Sequence, residues 1–279
     1  MKGMSQHAAA SALASKWVWM SHAGSTNDEL VALARAGSTA DVPDFTVVAT
    51  DDQRNGRGRL GRRWVSPPGA CLAASVLIRP STPSGRALSP TAWGWFPLLS
   101  GLAMTRAIDE LLPHAGSVGL KWPNDVLISG RKVCGILCEI VSDATGGFAV
   151  VIGTGVNLTL SVEELPIETA TSLAIAQATA TDVDTVLASY LTHLRRLVRV
   201  FESAEGDVRT TGLHDDVSRI CDTLGRRVRV DVPDGSMVMG TAESLDELGQ
   251  LRVSLDTPST RAGELLAVGV GDVTHVRVV

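Results

Sequence analysis

The chain has 279 residues and a formal net charge of −5, with 44% of its residues hydrophobic and 20% charged. A chain of this length and composition can bury a large core without a metal or disulfide staple, which excludes the disordered and fibrous classes. The mild acidity argues against a surface made for nucleic acid. The four cysteines are scattered through apolar runs, so they predict neither a secreted disulfide framework nor a zinc site.

No segment of the sequence has the pattern of a membrane span or of a signal peptide. The most apolar stretch, residues 93–104, contains Pro97 and is shorter than the roughly 20 clean residues that a span requires. Polar residues, including His7, interrupt the small-residue run near the N-terminus. We therefore expect a cytoplasmic protein that has no membrane partner.

The first half of the chain alternates helical and β patterns. Residues 26–36 predict a short helix that is capped by Ser25 or Thr26 and ended by Gly37. The elements that follow, in chain order, are a strand at 45–50, a loop at 51–69, a strand at 70–78, a helix from 89 to about 112, paired strands at 125–128 and 133–141, and a strand at 148–153.

The pattern changes after residue 181. Apolar residues at helical spacing predict a long helix over 183–201, and a shorter helix follows over 214–224. The last 55 or so residues predict only short strands, at 226–232, 236–242, 251–255 and 273–278, with a turn at 233–235. We therefore expect an α+β protein with an N-terminal extension (1–20), a catalytic domain (21–223) and a small SH3-like β-barrel (224–279).

Residues 53–64, here called the arginine loop, are the first candidate for chemistry. Their glycines form a G-x-G-x-x-G pattern, but Trp64 and a Pro-Pro-Gly run follow where a dinucleotide-binding fold needs a helix, which excludes that interpretation. Glycines permit close approach to a ligand, and arginines pair bidentately with phosphate or carboxylate. The alternative is an ordinary solvated basic loop, including one that touches RNA.

Lysine provides the second signal, because the chain has only four lysines and uses arginine for almost every other cation. Two of the four, Lys121 and Lys132, fall within one twelve-residue segment. A compact ammonium differs from a guanidinium in geometry and hydration, which favours a specific role for Lys132 between its turn and an apolar strand. Two ordinary surface lysines are the alternative.

A third and weaker candidate is the Gly-x-Gly-x-Asn run at residues 153–157, which the pattern places in a turn at the end of an apolar strand. Small residues at such a position permit a ligand to approach the backbone, and Asn157 can both donate to and accept from a base edge. A tight turn without a ligand explains the same residues equally well.

Taken in this order, these segments resemble the biotin protein ligases. The correspondence consists of Gly24-Ser25-Thr26-Asn27, GRGRLGRRW at 56–64, KWPND at 121–125, RKVCGILCE at 131–139, GTGVN at 153–157 and the small C-terminal barrel. It extends from about residue 17 to residue 278. The resemblance implies a class II synthetase-like, lipoate-ligase-like catalytic domain with a mixed sheet and flanking helices, followed by an SH3-like barrel.

The resemblance also implies a two-step ligation. Biotin and MgATP form biotinyl-5′-AMP and pyrophosphate, and the ε-amino group of a lysine on a biotin carboxyl carrier domain then displaces AMP. Biotin and ATP are therefore the expected substrates, Mg²⁺ accompanies ATP, and the carrier domain of an acyl-CoA carboxylase is the expected partner. Because both small reactants are anionic, fixed cations are needed to bring them together.

The same resemblance assigns residues to roles. The expected catalytic residues are Lys132, Arg57 and Arg59. The expected biotin contacts are Ser25, Thr26, Gln53, Gly56, Arg57, Arg59, Lys132, Gly135 and Ile136. The expected ATP contacts are Arg59, Arg62, Trp64, Lys121, Asn124 and Asn157. Asp125 is expected either to hold magnesium or to orient Lys132.

The sequence departs from the family pattern at a few positions. Arg54-Asn55 stands where a small or hydroxylated pair is common, and Cys71 replaces a frequent asparagine. Cys134 and Cys138 stand where this strand usually has small or aliphatic residues. We interpret these two cysteines as packing substitutions.

The resemblance leaves other functions to be weighed. Only about twenty residues precede the predicted core, whereas a winged helix-turn-helix needs roughly 60, so we expect a monofunctional ligase that does not bind DNA. A lipoate or octanoate ligase or transferase of the same fold is the nearest alternative. A basic-loop RNA-binding module is the alternative from another class, although the overall acidity argues against it. The oligomeric state stays open between monomer and homodimer.

Overall fold

A seven-stranded sheet forms the centre of the molecule. The computed structural model of the chain describes residues 6–64, 66–113, 117–143, 146–231, 237–257, 262–269 and 275–278. The first nine strands are β1 (Lys16–Trp19), β2 (Thr46–Thr50), β3 (Gly56–Arg57), β4 (Arg63–Trp64), β5 (Cys71–Ile78), β6 (Val118–Lys121), β7 (Asp125–Ile128), β8 (Arg131–Ser142) and β9 (Phe148–Asn157). The order across the sheet is β1-β2-β5-β9-β8-β7-β6, with β1 and β2 parallel and the other neighbours antiparallel.

Helices cover both faces of this mixed sheet. In the described part of the chain they are α1 (Ala8–Leu13), α2 (Thr26–Ala36), α3 (Phe96–Asp109), α4 (Val183–Ser203) and α5 (Leu213–Ile220). Helix α2 packs on one face, where Leu30 and Ala34 join a cluster with Val151. Helices α3 and α4 belong to the larger core on the opposite face, where the rings of Phe96 and Phe201 lie 5.7 Å apart, edge to face. The structure confirms the predicted α+β class.

A second sheet follows the helices, with every neighbouring pair antiparallel. Its strands are β10 (Arg227–Asp231), β11 (Met237–Leu245), β12 (Leu251–Thr257), β13 (Leu265–Val268) and β14 (His275–Val278), in the spatial order β13-β12-β11-β10-β14. The β11–β12 turn docks on the first part of the chain. Trp95 Nε1 donates to the Glu247 carbonyl at 2.7 Å, and Trp122 Nε1 donates to the Gly249 carbonyl at 3.1 Å.

The arginine loop is more structured than its composition predicts. Strands β3 and β4 pair as a small hairpin, with Gly56 opposite Trp64 and Arg57 opposite Arg63. A short 3₁₀ turn, Arg59–Gly61, joins them and holds Leu60 at a φ of 60°. The prediction of a loop over 51–69 is therefore wrong at its centre, where two short strands pair. Two-residue strands are too short to leave a hydrophobic period in the sequence.

The Gly-x-Gly-x-Asn run is also corrected. The predicted strand at 148–153 continues to Asn157, so the run lies inside β9 and not in a turn. Its backbone pairs with β5 on one side and β8 on the other, where Gly155 lies opposite both Ala73 and Gly135. Pairing on both edges holds glycine in a strand even though its own propensity is unfavourable.

Several predicted boundaries move while others are confirmed. The helix at 26–36 and the strand at 125–128 have the predicted bounds. The helix predicted from 89 to about 112 begins as a 3₁₀ helix, Pro90–Trp95, and α3 ends at Asp109. The helix predicted at 214–224 ends at Ile220, and the strand predicted at 133–141 is the longer β8. The predicted turn at 233–235 lies outside the described residues.

Besides the short hairpin strands β3 and β4, one α-helix and three strands of the described structure were not predicted from the sequence, namely α1, β1, β6 and β13. Strand β1 pairs with β2, so residues 16–19 of the predicted extension form one edge of the central sheet. Its sequence Lys-Trp-Val-Trp is half-buried throughout and therefore lacks a clear apolar and polar alternation. Among the described helices, none combines the length and the apolarity needed to cross a bilayer.

Candidate active site

A cavity of about 280 Å³ lies on the face of the sheet where α2 begins. Every predicted site residue except Gly56 lines this cavity, namely Ser25, Thr26, Gln53, Arg57, Arg59, Arg62, Trp64, Lys121, Asn124, Asp125, Lys132, Gly135, Ile136 and Asn157. Gly56 does not line it but packs tightly beside it, since a Cβ atom built there would be 2.5 Å from both the Gln53 side chain and the Trp64 carbonyl oxygen. Five separate sequence segments thus converge on one site.

One end of the cavity, here called the neutral end, is built from uncharged polar side chains. The Oε1 atom of Gln53 accepts from the Thr26 backbone nitrogen at 2.9 Å and from its hydroxyl at 3.3 Å. Ser75 Oγ lies 2.8 Å from Thr26 Oγ1 and 2.7 Å from Asn27 Oδ1. Because Thr26, Asn27 and Ser75 are buried, this network fixes their rotamers at the end of the cavity.

Two carboxylates border the neutral end and hold an arginine there. Glu139 Oε1 accepts from Asn27 Nδ2 at 2.7 Å and from Arg57 Nη2 at 3.0 Å, and Arg57 Nη2 also pairs with Asp28. Burial opposes the charge on Arg57, but the two carboxylates outweigh it and raise the pKa of Arg57 above its ordinary value. In this structure the Arg57 charge is matched by protein carboxylates.

The other end, here called the charged end, is built around Lys132. Lys132 Nζ lies 2.6 Å from Asp125 Oδ1 and 5.6 Å from the centroid of the Trp64 ring, and about a quarter of each ion-pair side chain is exposed. Burial, reinforced by the positive charge of Arg62, lowers the pKa of Arg59 in spite of nearby Asp125. Cations held at such a cost in hydration favour an anionic ligand beside them.

Glycines on two neighbouring strands make room for the Trp64 indole. Gly135 on β8 lies opposite Gly155 on β9, and Cβ atoms built at these positions would be 3.2 Å and 2.7 Å from the indole. Lys132 is equally close to the first of these positions, since its Nζ would lie 3.1 Å from the Gly135 Cβ atom. The two glycines therefore let the indole and the ammonium group share the space above the sheet.

The KWPND segment joins the charged end to the rest of the molecule. Asn124 fastens it to β8, because its Nδ2 donates to the Ile136 carbonyl at 2.6 Å and its carbonyl accepts from the Ile136 nitrogen at 2.9 Å. Trp122 is buried and reaches the β11–β12 turn through Gly249. The segment thus aligns Lys121 and Asp125, which pair across β6 and β7.

Residues 166–171 form a wall that sequence patterns did not reveal. The Lys132 nitrogen donates to the Thr169 carbonyl and the Thr171 nitrogen donates to the Lys132 carbonyl, both at 2.8 Å. Asn157 Nδ2 donates to the Thr171 carbonyl at 2.8 Å, so the amide predicted to contact adenine also fixes this wall. Pro166, Ile167 and Ala170 line the cavity beside it.

Ten further residues of the motifs line the cavity but were given no role from the sequence, in most cases because they carry no ionisable or nucleophilic group. They are Asn27, Gly58, Leu60, Arg63, Trp122, Pro123, Leu137, Gly153, Thr154 and Gly155. All ten lie inside the motifs quoted from the sequence, so their position within a motif was the available signal. The wall at residues 166–171 has no such neighbour in the sequence. Long-range contacts place it, namely the parallel bridge between Lys132 and Ala170 and the hydrogen bond from Asn157 to Thr171.

The donor set for a metal is small. Among the residues that the structure describes, no group of three or more His, Cys, Asp or Glu side chains is arranged to hold an ion. Asp125 is the carboxylate of the charged end, where it lies beside cationic side chains. Mg²⁺ typically binds through one or two carboxylates together with substrate phosphates, and a single carboxylate fits that pattern.

Comparison of the sequence with known proteins shows which family the chain belongs to. Residues 25–157 match the model of the Biotin/lipoate A/B protein ligase family. The chain is 36% identical over 260 residues to the biotin–[acetyl-CoA-carboxylase] ligase of Mycobacterium tuberculosis, covering 91% of this chain and 86% of that protein. The chain belongs to the biotin protein ligase family.

Other comparisons agree with this membership. The chain is 29% identical to the bifunctional ligase/repressor BirA of Escherichia coli, and the match spans 73% of this chain but 60% of that protein. The fold matches that of the Aquifex aeolicus biotin protein ligase solved with biotin and ATP, with a TM-score of 0.71. That match covers 95% of this chain and all of the other at 24% identity, so it supports the fold alone.

Proposed function

We propose that this protein ligates biotin to a lysine of a biotin carboxyl carrier domain through a biotinyl-5′-AMP intermediate. The observation that carries the proposal is a single cavity with a neutral, hydrogen-bonding end and a charged end, in a chain of the biotin protein ligase family. Biotin has a neutral ureido ring at one end and a carboxylate at the other, and this cavity offers partners for both.

In the first proposed step, a carboxylate oxygen of biotin attacks the α-phosphorus of ATP and pyrophosphate leaves with the bonding electrons. Thr26 and Gln53 bind the ureido ring at the neutral end, together with the backbone near Gly56. Lys132 and Arg59 stabilise the negative charge where the carboxylate meets the α-phosphate. Fixed cations at such a point commonly make the greatest single contribution to catalysis.

The nucleotide is proposed to occupy the charged end. Arg62 and Lys121 bind its phosphates, while Trp64 offers an indole face to adenine and Asn124 and Asn157 border it. Asp125 is the residue that would hold Mg²⁺ with the ATP phosphates, and the ion would supply charge neutralisation there. Asp125 also orients the Lys132 ammonium group, which it contacts directly.

In the second proposed step, the ε-amino group of the carrier lysine attacks the acyl carbon of the adenylate, and AMP leaves with its phosphate oxygen. The arginine loop shields the adenylate from water until the carrier arrives. We further propose that the five-stranded C-terminal sheet is the SH3-like barrel of the family. A cytoplasmic location fits the four cysteines, which are free thiols.

Two measurements test the proposed function. We expect labelled pyrophosphate to exchange into ATP only when biotin is present. We also expect mass spectrometry to show one added biotinyl group on a carrier domain incubated with biotin, ATP and the protein. Exchange that depends on lipoate or octanoate instead would assign the chain to the nearest alternative, and exchange with none of these acids would refute the proposal.

The RNA-binding alternative loses support from the structure. A basic loop that binds RNA needs cations that are available to phosphate. Arg54 is paired with Asp52 at 2.8 Å, and Arg57 is paired with Asp28 and Glu139. Two of the five arginines in the loop are thus neutralised by carboxylates of this chain.

A further inference from the structure

The Arg57 side chain is engaged at the neutral end of the cavity, away from the Lys132–Asp125 pair. Its Nη2 atom contacts both oxygens of Glu139, at 3.0 Å and 3.1 Å, and also contacts Asp28. The family resemblance predicts that Arg57 clamps an anionic substrate. An arginine that two carboxylates already neutralise attracts a substrate anion much less strongly.

Glu139 connects the arginine to the buried network. Besides Arg57, it accepts from Asn27 Nδ2 at 2.7 Å, and Asn27 is only 4% exposed. Asn27 Nδ2 also donates to the Leu137 carbonyl at 3.2 Å, and its Oδ1 accepts from Ser75. The Glu139 carboxylate is therefore held by a buried amide through Oε1, the same oxygen that accepts from Arg57 at 3.0 Å.

Arg57 belongs to the hairpin that carries the other functional side chains of the arginine loop. Just before the hairpin, two backbone hydrogen bonds hold the chain in place. The Arg54 nitrogen donates to the carbonyl of residue 23 at 2.9 Å, and the Asn55 nitrogen donates to the carbonyl of residue 24 at 2.7 Å. Within the hairpin, Arg57 pairs with Arg63, next to Trp64. A tie from Arg57 to β8 and α2 therefore restrains the position of the indole over the cavity.

We propose that Glu139 and Asp28 are positioning residues that act through Arg57, whose side chain latches the β3–β4 hairpin over the cavity and does not clamp the substrate. This inference rests on the proposed biotin ligation. A loosened latch would admit water and weaken the hold on biotin, while the Lys132 end of the site would keep its chemistry.

The test compares Glu139→Gln, Arg57→Met and the double variant in biotin-dependent pyrophosphate exchange. Each single change should raise the KM for biotin about tenfold, the scale of a lost charge-assisted hydrogen bond, with kcat within about threefold of the parent. AMP release without a carrier domain should rise as the adenylate hydrolyses. The double variant should be no worse than Arg57→Met alone, because that change already removes the Arg57–Glu139 contact that Glu139→Gln weakens.

The matched control is Asp52→Asn, which breaks the ion pair between Arg54 of the arginine loop and the preceding Asp52, both outside the cavity lining. It should leave the KM for biotin and the AMP release unchanged. Asp28→Asn removes one of the two carboxylates around Arg57 and should show a smaller effect in the same direction. Thermal unfolding of every variant separates a loosened hairpin from a damaged fold.

The following results would refute the proposal that Arg57 acts as a latch. If Arg57→Met lowers kcat about 100-fold while Glu139→Gln leaves the enzyme as fast or faster, Arg57 is a clamp that Glu139 restrains. Effects that multiply in the double variant would also refute it. Amide hydrogen exchange in residues 56–64 gives a readout that needs no activity. It should accelerate in Glu139→Gln and accelerate further, to the same extent, in Arg57→Met and in the double variant. A parent protein without biotin-dependent exchange would refute the ligase function alone.

Discussion

The two ends of the cavity differ in charge and in burial. At the neutral end, Thr26, Asn27 and Ser75 are buried and joined by hydrogen bonds between uncharged groups. At the charged end, Lys132 and Asp125 form an ion pair that water still reaches. A rigid neutral network can select one heterocycle by shape and hydrogen bonds, whereas fixed cations stabilise the negative charge that develops at a reacting phosphate. Recognition and chemistry should therefore be separable by mutation.

Lys132→Ala should give the largest effect and tests this separation directly. Loss of a preorganised cation at the reacting carboxylate should lower the rate of adenylation about 10²-fold or more. Biotin binding, measured by calorimetry, should change far less because the neutral end is untouched. Lys16→Ala is the control, since that lysine donates to the Asp41 carbonyl at 2.7 Å on an edge strand. Near-normal adenylation by Lys132→Ala would remove Lys132 from the mechanism.

Ser75→Ala tests the opposite end. The change removes a hydroxyl between Thr26 and Asn27 in a fully buried position, and the free energy of unfolding should fall by about 2 kcal/mol. The KM for biotin should rise while the KM for ATP stays constant. Ser203→Ala provides the control, because that hydroxyl donates to a carbonyl within its own exposed helical turn. Equal changes in both KM values would contradict two independent ends.

The sequence predicted the charged end better than the neutral end, for a physical reason. Lys132 and the arginines belong to rare, chemically distinctive patterns that keep their meaning without a fold. Asn27, Ser75 and Glu139 acquire their roles only when α2, β5 and β8 come together. Long-range contacts of this kind leave no local period or spacing in the chain.

The same limit applies to the fold. Helix α2 was predicted with its observed bounds because its cap, its apolar face and Gly37 are all local signals. The glycines of β9 were assigned to a turn because glycine is a local turn signal. In the structure, two neighbouring strands and the Trp64 indole decide the conformation at Gly155 instead.

Asp125→Asn sharpens the description of the charged end. The substitution keeps the shape of the side chain but removes the charge that lies 2.6 Å from Lys132 Nζ. Adenylation should fall about tenfold at saturating Mg²⁺, because an unrestrained ammonium group is less well oriented. Recovery of the parental rate at high Mg²⁺ would instead show that Asp125 acts mainly through the metal. The KM for biotin serves as the internal control and should stay constant.

Salt should produce the smallest effect and would distinguish the two ends without any mutation. Raising NaCl from about 0.05 M to about 0.5 M shortens the Debye length from roughly 14 Å to roughly 4 Å, which screens the partly exposed cations of the charged end. The dissociation constant for ATP should therefore rise about threefold. Biotin amide, which is uncharged, should lose less affinity than ATP, because its contacts at the neutral end are hydrogen bonds in a buried network and salt reaches it only through the partly exposed Arg57 ion pairs. Equal salt sensitivity for both ligands, measured by calorimetry, would mean that charge reaches the whole cavity and that its two ends are not distinct.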